Sequence, residues 1–240
     1  MNASQKILLI EDCPIIQGVV RATLTSKYAL STVGSVNAAR AELQNSIPQL
    51  IILDIGLPDG DGLKLAAEIR QSPNLSRVPL IFLTGKSDPA DKVLGFTVGA
   101  DDYIVKPLEP MEFSARVDNQ IRRVRALSQS EEGYDKGIFH ISTSQQKIFI
   151  RTEQENRDLR LTTNEFKLLN HFIRHESHVL SRDHILNTVW GSETFVTDRT
   201  VDSHIYSIRK KLGDYAHCIQ SIPRAGYRFS QDALNSKKTG

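Results

Sequence analysis

The sequence predicts an α/β domain with a five-stranded, doubly wound parallel sheet over residues 1–125, followed by a smaller α+β domain over residues 137–232. Short apolar runs alternate with helix-length stretches five times in the first part, and this order gives a parallel sheet with helices on both faces. Runs such as Leu50–Leu53 are apolar throughout, as in strands that are buried on both sides. A length of 240 residues is enough for two such domains.

The first domain is predicted to contain five strand–helix pairs. Its strands are expected at Lys6–Ile10, Tyr28–Val33, Gln49–Leu53, Pro79–Leu83 and Tyr103–Val105. Its helices are expected at Pro14–Ser26, Val36–Asn45, Gly62–Gln71, Pro89–Val98 and Glu109–Arg125. In sheets of this kind, ligands bind at the carboxyl ends of the strands.

The second domain follows the polar stretch Ala126–Lys136, which has no clear period and is predicted to be a linker. The alternating segments GIFHIS and KIFIRT predict a hairpin, and Thr162 with Glu165 forms a capping box ahead of an apolar helical pattern. Further helices fit Ser181–Val189 and Arg199–Leu212. The segment IQSIPRAGYRFS predicts two short strands around a turn, and a flexible tail is expected over residues 233–240. This order of elements is typical of a winged-helix module.

Composition excludes several classes of protein. Two cysteines, Cys13 and Cys218, are too few for a disulfide framework or a four-cysteine metal site. No signal peptide is expected, and the apolar runs are far shorter than the ~20 residues that a membrane span requires, so we expect a cytoplasmic protein without membrane contact. The net charge is only +2, but the segment from Arg199 to Arg228 contains six basic residues and only two acidic ones. This local excess favours nucleic-acid binding at that end.

Acidic residues collect at the predicted carboxyl ends of the strands. Glu11 and Asp12 follow the first strand and Asp54 follows the third, while Thr84 ends the fourth and Lys106 ends the fifth. Converging carboxylates repel one another unless a cation lies between them, and oxygen ligands without His or Cys select Mg²⁺. A carboxylate beside Mg²⁺ can attack a phosphorus centre, with a lysine and a hydroxyl to hold the phosphoryl oxygens.

Each of these residues alone is more often an ordinary turn or helix-capping residue. Their occurrence together, in order and at consecutive strand ends, favours a phosphoryl-transfer site. Three functions stay open on the residues alone: a phosphorylated regulator, a Mg²⁺-dependent phosphohydrolase with Asp54 as nucleophile, and a regulator that switches by protein contact without phosphate. A haloacid-dehalogenase-like phosphatase needs a second Asp two residues after the nucleophile, and Gly56 occupies that position.

Residues 5–125 resemble the receiver domains of two-component response regulators. The resemblance lies in EDC after ILLI, in LIILD with LPDGDG, in LTGK and in GADDYIVKP. The resemblance implies that Asp54 accepts the phosphoryl group and that Glu11, Asp12, Asp54 and the Gly56 carbonyl bind Mg²⁺. It implies that Lys106 and Thr84 contact the phosphoryl group and that Tyr103 is an aromatic switch that turns inward as Thr84 moves. Gly56 and Lys86 occupy positions that tune phosphoryl lifetime in this family. Cys13 departs from the polar residue that many relatives carry.

The same resemblance implies a dimer face within Asp91–Val117. Charged residues at matching positions pair between subunits in OmpR/PhoB-type regulators, which predicts Lys92 with Glu112 and Asp102 with Arg116. Val98 stands where several relatives carry another charge. Exposed pairs contribute only about 0–1 kcal/mol each, so they fix orientation more than strength.

The helix at Arg199–Leu212 has two faces. Val201, Ile205, Ile208 and Leu212 share one face and should pack inward, and Arg199, Ser203, Tyr206, Ser207 and Lys210 point outward, with His204 and Arg209 at the flanks. Without context this is an ordinary amphipathic helix. However, residues 137–230 resemble the OmpR/PhoB winged-helix effector. The matching segments are LTTNEFKLL, LSRDHILNTVWG, RTVDSHIYSIRKKL and RAGYRF.

The resemblance implies that this helix enters the major groove, with Arg199, Ser203, His204, Ser207, Arg209 and Lys210 as DNA-contacting residues. In the wing, Arg224 would reach the minor groove and Arg228 the phosphates. Arg224 is offset by one from the usual pattern, and Ser207 replaces a base-contacting Arg of some relatives, so the bound base sequence stays open. The expected partners are a sensor histidine kinase, promoter DNA, a second copy of the chain when phosphorylated, and RNA polymerase. No enzymatic role is expected beyond phosphorylation and dephosphorylation of Asp54 itself.

Overall fold

The computed structural model describes residues 5–85, 99–128, 133–191 and 198–231. The chain divides into two compact units, Met1–Ala126 and Leu127–Gly240. Each unit has its own buried apolar core, as two independently packed domains require.

The first unit contains the predicted parallel sheet. Its strands are β1 at Lys6–Ile10, β2 at Ala29–Val33, β3 at Leu50–Asp54, β6 at Leu80–Thr84 and β7 at Asp102–Val105. They are ordered β2-β1-β3-β6-β7, and every neighbouring pair is parallel. A ribbon of two short strands, β4 at Gly56–Leu57 and β5 at Gly60–Asp61, follows β3. The strand order reverses between β1 and β3, and ligand sites of open α/β sheets form at such a point.

Helices cover this sheet and bury its apolar faces. They are α1 at Pro14–Leu24, α2 at Val36–Asn45, α3 at Gly62–Gln71 and α4 at Pro110–Ser128. Pro14 begins α1 in the first turn, where its missing N–H has no cost, and the Ser35 and Asp61 side chains cap α2 and α3. The helix predicted at Pro89–Val98 lies outside the described residues.

The second unit contains two antiparallel sheets. The first consists of β8 at Tyr134–Lys136, β9 at Phe139–Ser142, β10 at Lys147–Arg151 and β11 at Asn156–Asp158. The second consists of β12 at Val179–Leu180, β13 at Ile219–Ile222 and β14 at Gly226–Phe229. Tyr134–Lys136 pairs with β9, so the end of the predicted linker belongs to the sheet. The start of the predicted linker is helical, because α4 extends to Ser128.

Three helices complete the second unit: α5 at Thr163–Arg174, α6 at Arg182–Val189 and α7 at Asp198–Leu212, followed by a 3₁₀ turn at Gly213–Cys218. The predicted capping box is present, because the Thr162 side chain accepts from Glu165 and the Glu165 carboxylate accepts from the Thr162 N–H at 2.7 Å. Sheets, helices and terminal hairpin give the predicted winged-helix architecture. No helix in the described part of the chain is both long enough and apolar enough to cross a bilayer.

Candidate functional sites

Three carboxylates meet at the carboxyl edge of the parallel sheet. Glu11 and Asp12 follow β1 and Asp54 ends β3, and one oxygen from each lies within 4.8 Å of the others. Glu11 is fully buried, Asp54 is 7% exposed and Asp12 is open to solvent. The strand pairing of β1 with β3 brings together residues that are more than forty positions apart in the sequence.

Lys106 balances part of this negative charge. Its Nζ lies 2.6 Å from Glu11 Oε2 and 3.0 Å from Asp54 Oδ2. Burial raises the pKa of Glu11 and the neighbouring Asp54 charge adds to this, although the contact with Lys106 opposes it. Burial alone would lower the pKa of Lys106, but its contacts with Glu11 and Asp54 outweigh burial and hold that pKa above its usual range. One ammonium neutralises only part of the charge of three carboxylates, so a further cation would be stabilised there.

Two hydrogen bonds from residues at the start of α1 hold Glu11 in place. The Cys13 N–H donates to Glu11 Oε1 at 3.1 Å, and the Gln17 side chain donates to the Glu11 carbonyl at 2.6 Å. Cys13 therefore contributes its backbone to the site, and its thiol is partly exposed. Sequence reasoning missed Gln17, because its contact with the Glu11 carbonyl depends on the position of α1 relative to β1.

The loop after Asp54 is held by two further contacts that the sequence did not indicate. The Gly62 N–H donates to the Ile55 carbonyl at 2.9 Å, and a Cβ on Gly62 would lie 2.2 Å from the Asp54 carbonyl oxygen. Asp59 accepts from the N–H groups of Val36 and Asn37 at the start of α2, at 2.7 and 3.0 Å. These hydrogen bonds lower the pKa of Asp59. Both residues lie within the LPDGDG motif, whose resemblance to receiver domains predicted no contact for either of them.

The other predicted residues of this site lie close by. Gly56 is exposed and pairs with Asp61 in the ribbon that follows Asp54. Thr84 is buried at the end of β6, and its carbonyl accepts from the Lys106 N–H at 2.7 Å. Tyr103 is buried in β7, with its ring centroid 5.2 Å from that of Phe82. Lys86 lies outside the described residues.

The donor set fits a hard divalent cation. Carboxylate oxygens are the ligands that Mg²⁺ prefers, and Mg²⁺ keeps several waters, which the exposed side of Asp12 allows. The described residues place no imidazole or thiolate among these three oxygens. The arrangement therefore supplies a nucleophilic carboxylate, oxygen ligands and a cationic side chain at one edge of the sheet.

The second site is the outer face of α7. Val201, Ile205, Ile208 and Leu212 are all buried, as predicted. On the opposite face Arg199 and Lys210 are exposed and Tyr206 is 62% exposed, whereas Ser203 and Ser207 are partly exposed. The Ser203 hydroxyl donates to the Arg199 carbonyl at 2.9 Å. This face is basic and has small side chains between its larger ones.

Two residues predicted to contact DNA from α7 are placed differently. His204 is fully buried, with its ring 5.0 Å from that of Trp190, so it belongs to the core and not to the surface. It lies beside the apolar stripe, and the large indole covers that flank. Arg209 is partly buried and donates to the Ile219 carbonyl at 2.8 Å and to the Ser221 hydroxyl at 3.0 Å. Arg209 therefore ties α7 to β13.

The wing is the hairpin of β13 and β14. Arg224 is exposed at its tip with φ of 60°, and the Ala225 N–H donates to the Ile222 carbonyl at 3.1 Å. Arg228 donates to the Gln220 side chain at 2.7 Å, across the two strands. A Cβ on Gly226, whose φ is 131°, would lie 2.1 Å from the Leu180 carbonyl oxygen, so the wing packs against β12 only with glycine there.

Comparison with known proteins assigns both units. Residues 7–118 match the response regulator receiver domain, and residues 155–229 match the C-terminal domain of transcriptional regulatory proteins. The phosphate regulon transcriptional regulatory protein PhoB of Escherichia coli (strain K12) is 34% identical over 230 residues, which cover 95% of this chain and 98% of that protein. The chain belongs to the OmpR/PhoB-type response regulators.

Other relatives agree with this assignment. The transcriptional regulatory protein AruR of Pseudomonas aeruginosa is 32% identical over 246 residues, covering 96% of this chain and 98% of that protein. A solved structure of a RitR C128S mutant has a TM-score of 0.73 at 20% identity, covering 95% and 99% of the two chains, and it supports the fold alone. This OmpR/PhoB-type response regulator is a phosphorylation-dependent transcriptional regulator of a two-component system, with a histidine kinase and DNA as its partners.

The charged residues predicted to pair between subunits of this response regulator are partly paired within the chain. Arg116 Nη1 lies 3.0 Å from Asp102 Oδ1, and Arg116 Nη2 lies 2.7 Å from Glu112 Oε1. Asp102 and Arg116 are buried, and Glu112 is half-exposed. The structure therefore pairs Asp102 with Arg116 within one chain, and their pairing between two subunits stays a prediction. Lys92 and Val98 lie outside the described residues.

One network in the effector domain of this regulator was missed. Asp202 Oδ1 accepts from Arg182 Nε at 2.8 Å and from the Tyr227 hydroxyl at 2.6 Å, so α6, α7 and the wing are joined at one carboxylate. The Arg182 guanidinium also lies 4.9 Å from the Tyr227 ring centroid. Burial and the Asp202 carboxylate raise the pKa of Tyr227. From the sequence, Asp202 was only one of two acidic residues in a basic stretch, and no partner was predicted for it.

Proposed function

We propose that Asp54 accepts a phosphoryl group from a histidine kinase, with Mg²⁺ bound by Glu11, Asp12, Asp54 and the Gly56 carbonyl. The observation that carries this proposal is the approach of the three carboxylates to within 4.8 Å, with Lys106 Nζ 3.0 Å from Asp54. The metal would neutralise developing charge on the phosphoryl oxygens. Asp54 is nearly buried but lies beside the exposed Asp12, which is consistent with its role as phosphoryl acceptor.

The protein's own residues orient and neutralise the new group. Lys106 already contacts two carboxylates, so after transfer its ammonium can exchange the Asp54 oxygen for a phosphoryl oxygen with little movement. Thr84 lies at the end of the neighbouring strand, and its backbone is hydrogen-bonded to Lys106, so its hydroxyl would hold a second phosphoryl oxygen. Tyr103 is one strand further and is already buried beside Phe82, so we assign this structure the inward position of the aromatic switch.

The phosphoryl group adds roughly −1.5 to −2 charges, and this change must reach the dimer face. We propose the pairs Lys92 with Glu112 and Asp102 with Arg116 between two subunits. Because Arg116 contacts Asp102 and Glu112 within the chain, forming the dimer exchanges intramolecular partners for intermolecular ones. The net energy of such an exchange is small, so the pairs would select the orientation of the dimer.

On the DNA side, we propose that α7 lies in the major groove, with Arg199, Ser203, Ser207 and Lys210 toward the DNA. Arg224 at the wing tip would enter the minor groove, and Arg228 would contact phosphates. Arg209 would act through the wing that it holds, because its guanidinium is bonded to β13. As a promoter-binding regulator the protein would work in the cytoplasm, together with RNA polymerase.

Two other functions are less well supported. A phosphohydrolase of the haloacid-dehalogenase type requires an acidic residue at position 56, and the exposed glycine there offers no proton. A receiver that switches without phosphate would not need Lys106 and three carboxylates in contact. We infer that this site catalyses only the phosphorylation and dephosphorylation of its own Asp54.

Acetyl phosphate and Mg²⁺ test this proposal directly. The intact protein should gain the mass of one phosphoryl group, and the Asp54→Asn variant should gain none. Asp12→Asn should slow the gain, because it removes a metal ligand without removing the acceptor. Rapid turnover of varied phosphate esters would instead support the phosphohydrolase, and no modification of the wild-type protein would support the phosphate-independent receiver.

A further inference from the structure

Histidines of α5 and α6 cluster on the surface of the effector domain. His171 lies on α5, His175 follows one turn later at the end of that helix, and His184 lies in the first turn of α6. The His171 and His184 Nε2 atoms are 3.2 Å apart, and the ring centroids of His171 and His175 are 4.2 Å apart. His175 and His184 are exposed and His171 is partly exposed, so the cluster is accessible from solvent.

The separation of the two Nε2 atoms suits a shared metal ion. Imidazole nitrogens bind Zn²⁺ at about 2.0–2.1 Å, so two nitrogens 3.2 Å apart would subtend roughly 100–106° at the ion, close to a tetrahedral angle. Without a metal, one of the two nitrogens must carry a proton and donate it to the other. The same geometry thus serves either a neutral hydrogen bond or a metal bridge between α5 and α6.

A backbone carbonyl orients the next imidazole of the cluster. His175 Nδ1 lies 2.9 Å from the His171 carbonyl oxygen and must donate to it, which leaves the lone pair on Nε2. Such a hydrogen bond to a backbone carbonyl is the usual support for a metal-binding histidine. Histidines at i and i+4 of a helix are also a common chelating pair.

We propose that His171 and His184 bind a divalent transition-metal ion of the Zn²⁺ type, with His175 as the nearest further imidazole. Imidazole ligands select Zn²⁺, Ni²⁺ or Cu²⁺ over Mg²⁺, so this site differs in chemistry from the carboxylates of the receiver. Among the described residues, three ligand atoms lie mutually within 4.8 Å at Glu11, Asp12 and Asp54 and not at the histidines. The histidine site is therefore a two-ligand site whose remaining positions are open to water or to a rotated His175.

A metal there would cross-link the first two helices of the effector domain. Ile185 of α6 and Val201 of α7 belong to the same buried cluster, so fixing α6 also supports the helix assigned to DNA. Binding to the folded state alone raises stability with ligand concentration, so Zn²⁺ should increase the unfolding temperature of this domain. The proposal does not depend on phosphorylation of Asp54.

Zinc titration of the full-length protein without an affinity tag tests the site. Excess Mg²⁺ is present throughout so that the receiver carboxylates are occupied. Isothermal calorimetry should give one Zn²⁺ per chain, and Zn²⁺ should shift the ring-nitrogen NMR signals of His171 and His184. His184→Gln is the main variant because this side chain is exposed, and His171→Asn is the second. His178→Gln is the matched control, since His178 is exposed nearby and its Nδ1 lies 3.0 Å from the Glu176 carbonyl oxygen.

His184→Gln and His171→Asn should each weaken Zn²⁺ binding at least about tenfold, a loss that even an outer-shell partner can cause. His178→Gln should bind as the wild type does, and the thermal shift should disappear only in the first two variants. Unchanged affinity in His184→Gln would overturn the proposal. So would binding that disappears in Asp12→Asn, because the ion would then belong to the receiver, or the absence of saturable binding to the wild-type protein.

Discussion

The Lys106 ammonium lies 3.0 Å from the Asp54 carboxylate, at the ends of two strands that are not neighbours in the sheet. The same ammonium contacts Glu11 at 2.6 Å, so it acts as the resident positive charge of the receiver edge. Without a divalent cation this edge of the sheet carries excess negative charge, because one ammonium lies among three carboxylates. Removal of Lys106 should therefore have an effect on stability that depends on Mg²⁺.

We expect Lys106→Met to lower the free energy of unfolding by about 1–3 kcal/mol in metal-free buffer, because Glu11 and Asp54 lose their cationic partner. Mg²⁺ should restore part of this loss, since it supplies positive charge at the same place. Urea unfolding with and without Mg²⁺ measures both effects. Lys64→Met is the control, because Lys64 is exposed on α3. An equal loss with and without Mg²⁺ would contradict the assignment of the metal to these carboxylates.

Gly62→Ala should destabilise the receiver and slow phosphorylation of Asp54. The added Cβ would lie 2.2 Å from the Asp54 carbonyl oxygen and 2.9 Å from Ile55 Cα, so the backbone of the acceptor must move. Overpacking of this kind typically costs about 1–3 kcal/mol. Gly18→Ala is the matched control: nothing lies within 4 Å of its Cβ, and a helix-interior alanine should stabilise by about 0.5–1 kcal/mol. Thermal unfolding and acetyl phosphate labelling of both variants would show whether this difference exists.

Arg116→Ala should be much more damaging than Glu112→Ala. Arg116 contacts Asp102 in a buried position, and loss of one partner of a buried ion pair costs about 3–5 kcal/mol. Glu112 is 48% exposed, so its loss should cost no more than about 1 kcal/mol. Equilibrium unfolding of both variants gives the comparison. Similar small losses in both would mean that the Arg116–Asp102 contact does not form in the isolated protein.

The two cysteines should differ in reactivity. Burial raises the pKa of the Cys218 thiol from an ordinary 9.0 to about 12, and the residue is fully enclosed, whereas Cys13 is partly exposed. Iodoacetamide at neutral pH should therefore label Cys13 in the native protein and Cys218 only after unfolding. Because the neutral thiol is favoured in the folded state, the contribution of Cys218 to stability should fall as pH rises from about 9 toward 12. Peptide mapping measures the labelling, and Cys13→Ser removes the native signal. Rapid native labelling of Cys218 would contradict its burial.

The sequence predicted the receiver well because its chemistry sits at strand ends. Parallel strands align their carboxyl ends, so Glu11, Asp54 and Lys106 could be grouped from the strand positions alone. Gly62 and Asp59 could not be assigned this way, because each contacts a segment that only the fold brings near. A local turn motif does not show what the turn packs against.

The effector domain shows a different limit. Helical periodicity placed Val201 and Ile205 inside correctly, but it gave only an angle for His204 and not the Trp190 ring that covers it. Arg209 was predicted from its charge, whereas its guanidinium finds backbone and hydroxyl acceptors on β13. The short strand Tyr134–Lys136 lacks apolar alternation, and it forms because the neighbouring strand offers a free edge.

The central claim is that phosphorylation of Asp54 controls binding of DNA by the effector domain. The most direct test is the affinity of the full-length protein for DNA selected from genomic fragments, measured at one fixed salt concentration before and after acetyl phosphate treatment. Salt must be held constant because phosphate contacts make DNA affinity strongly salt-dependent. We predict that treatment tightens binding by the wild-type protein and leaves Asp54→Asn unchanged. Equal affinity of the wild-type protein with and without treatment, or the same tightening in Asp54→Asn, would contradict it.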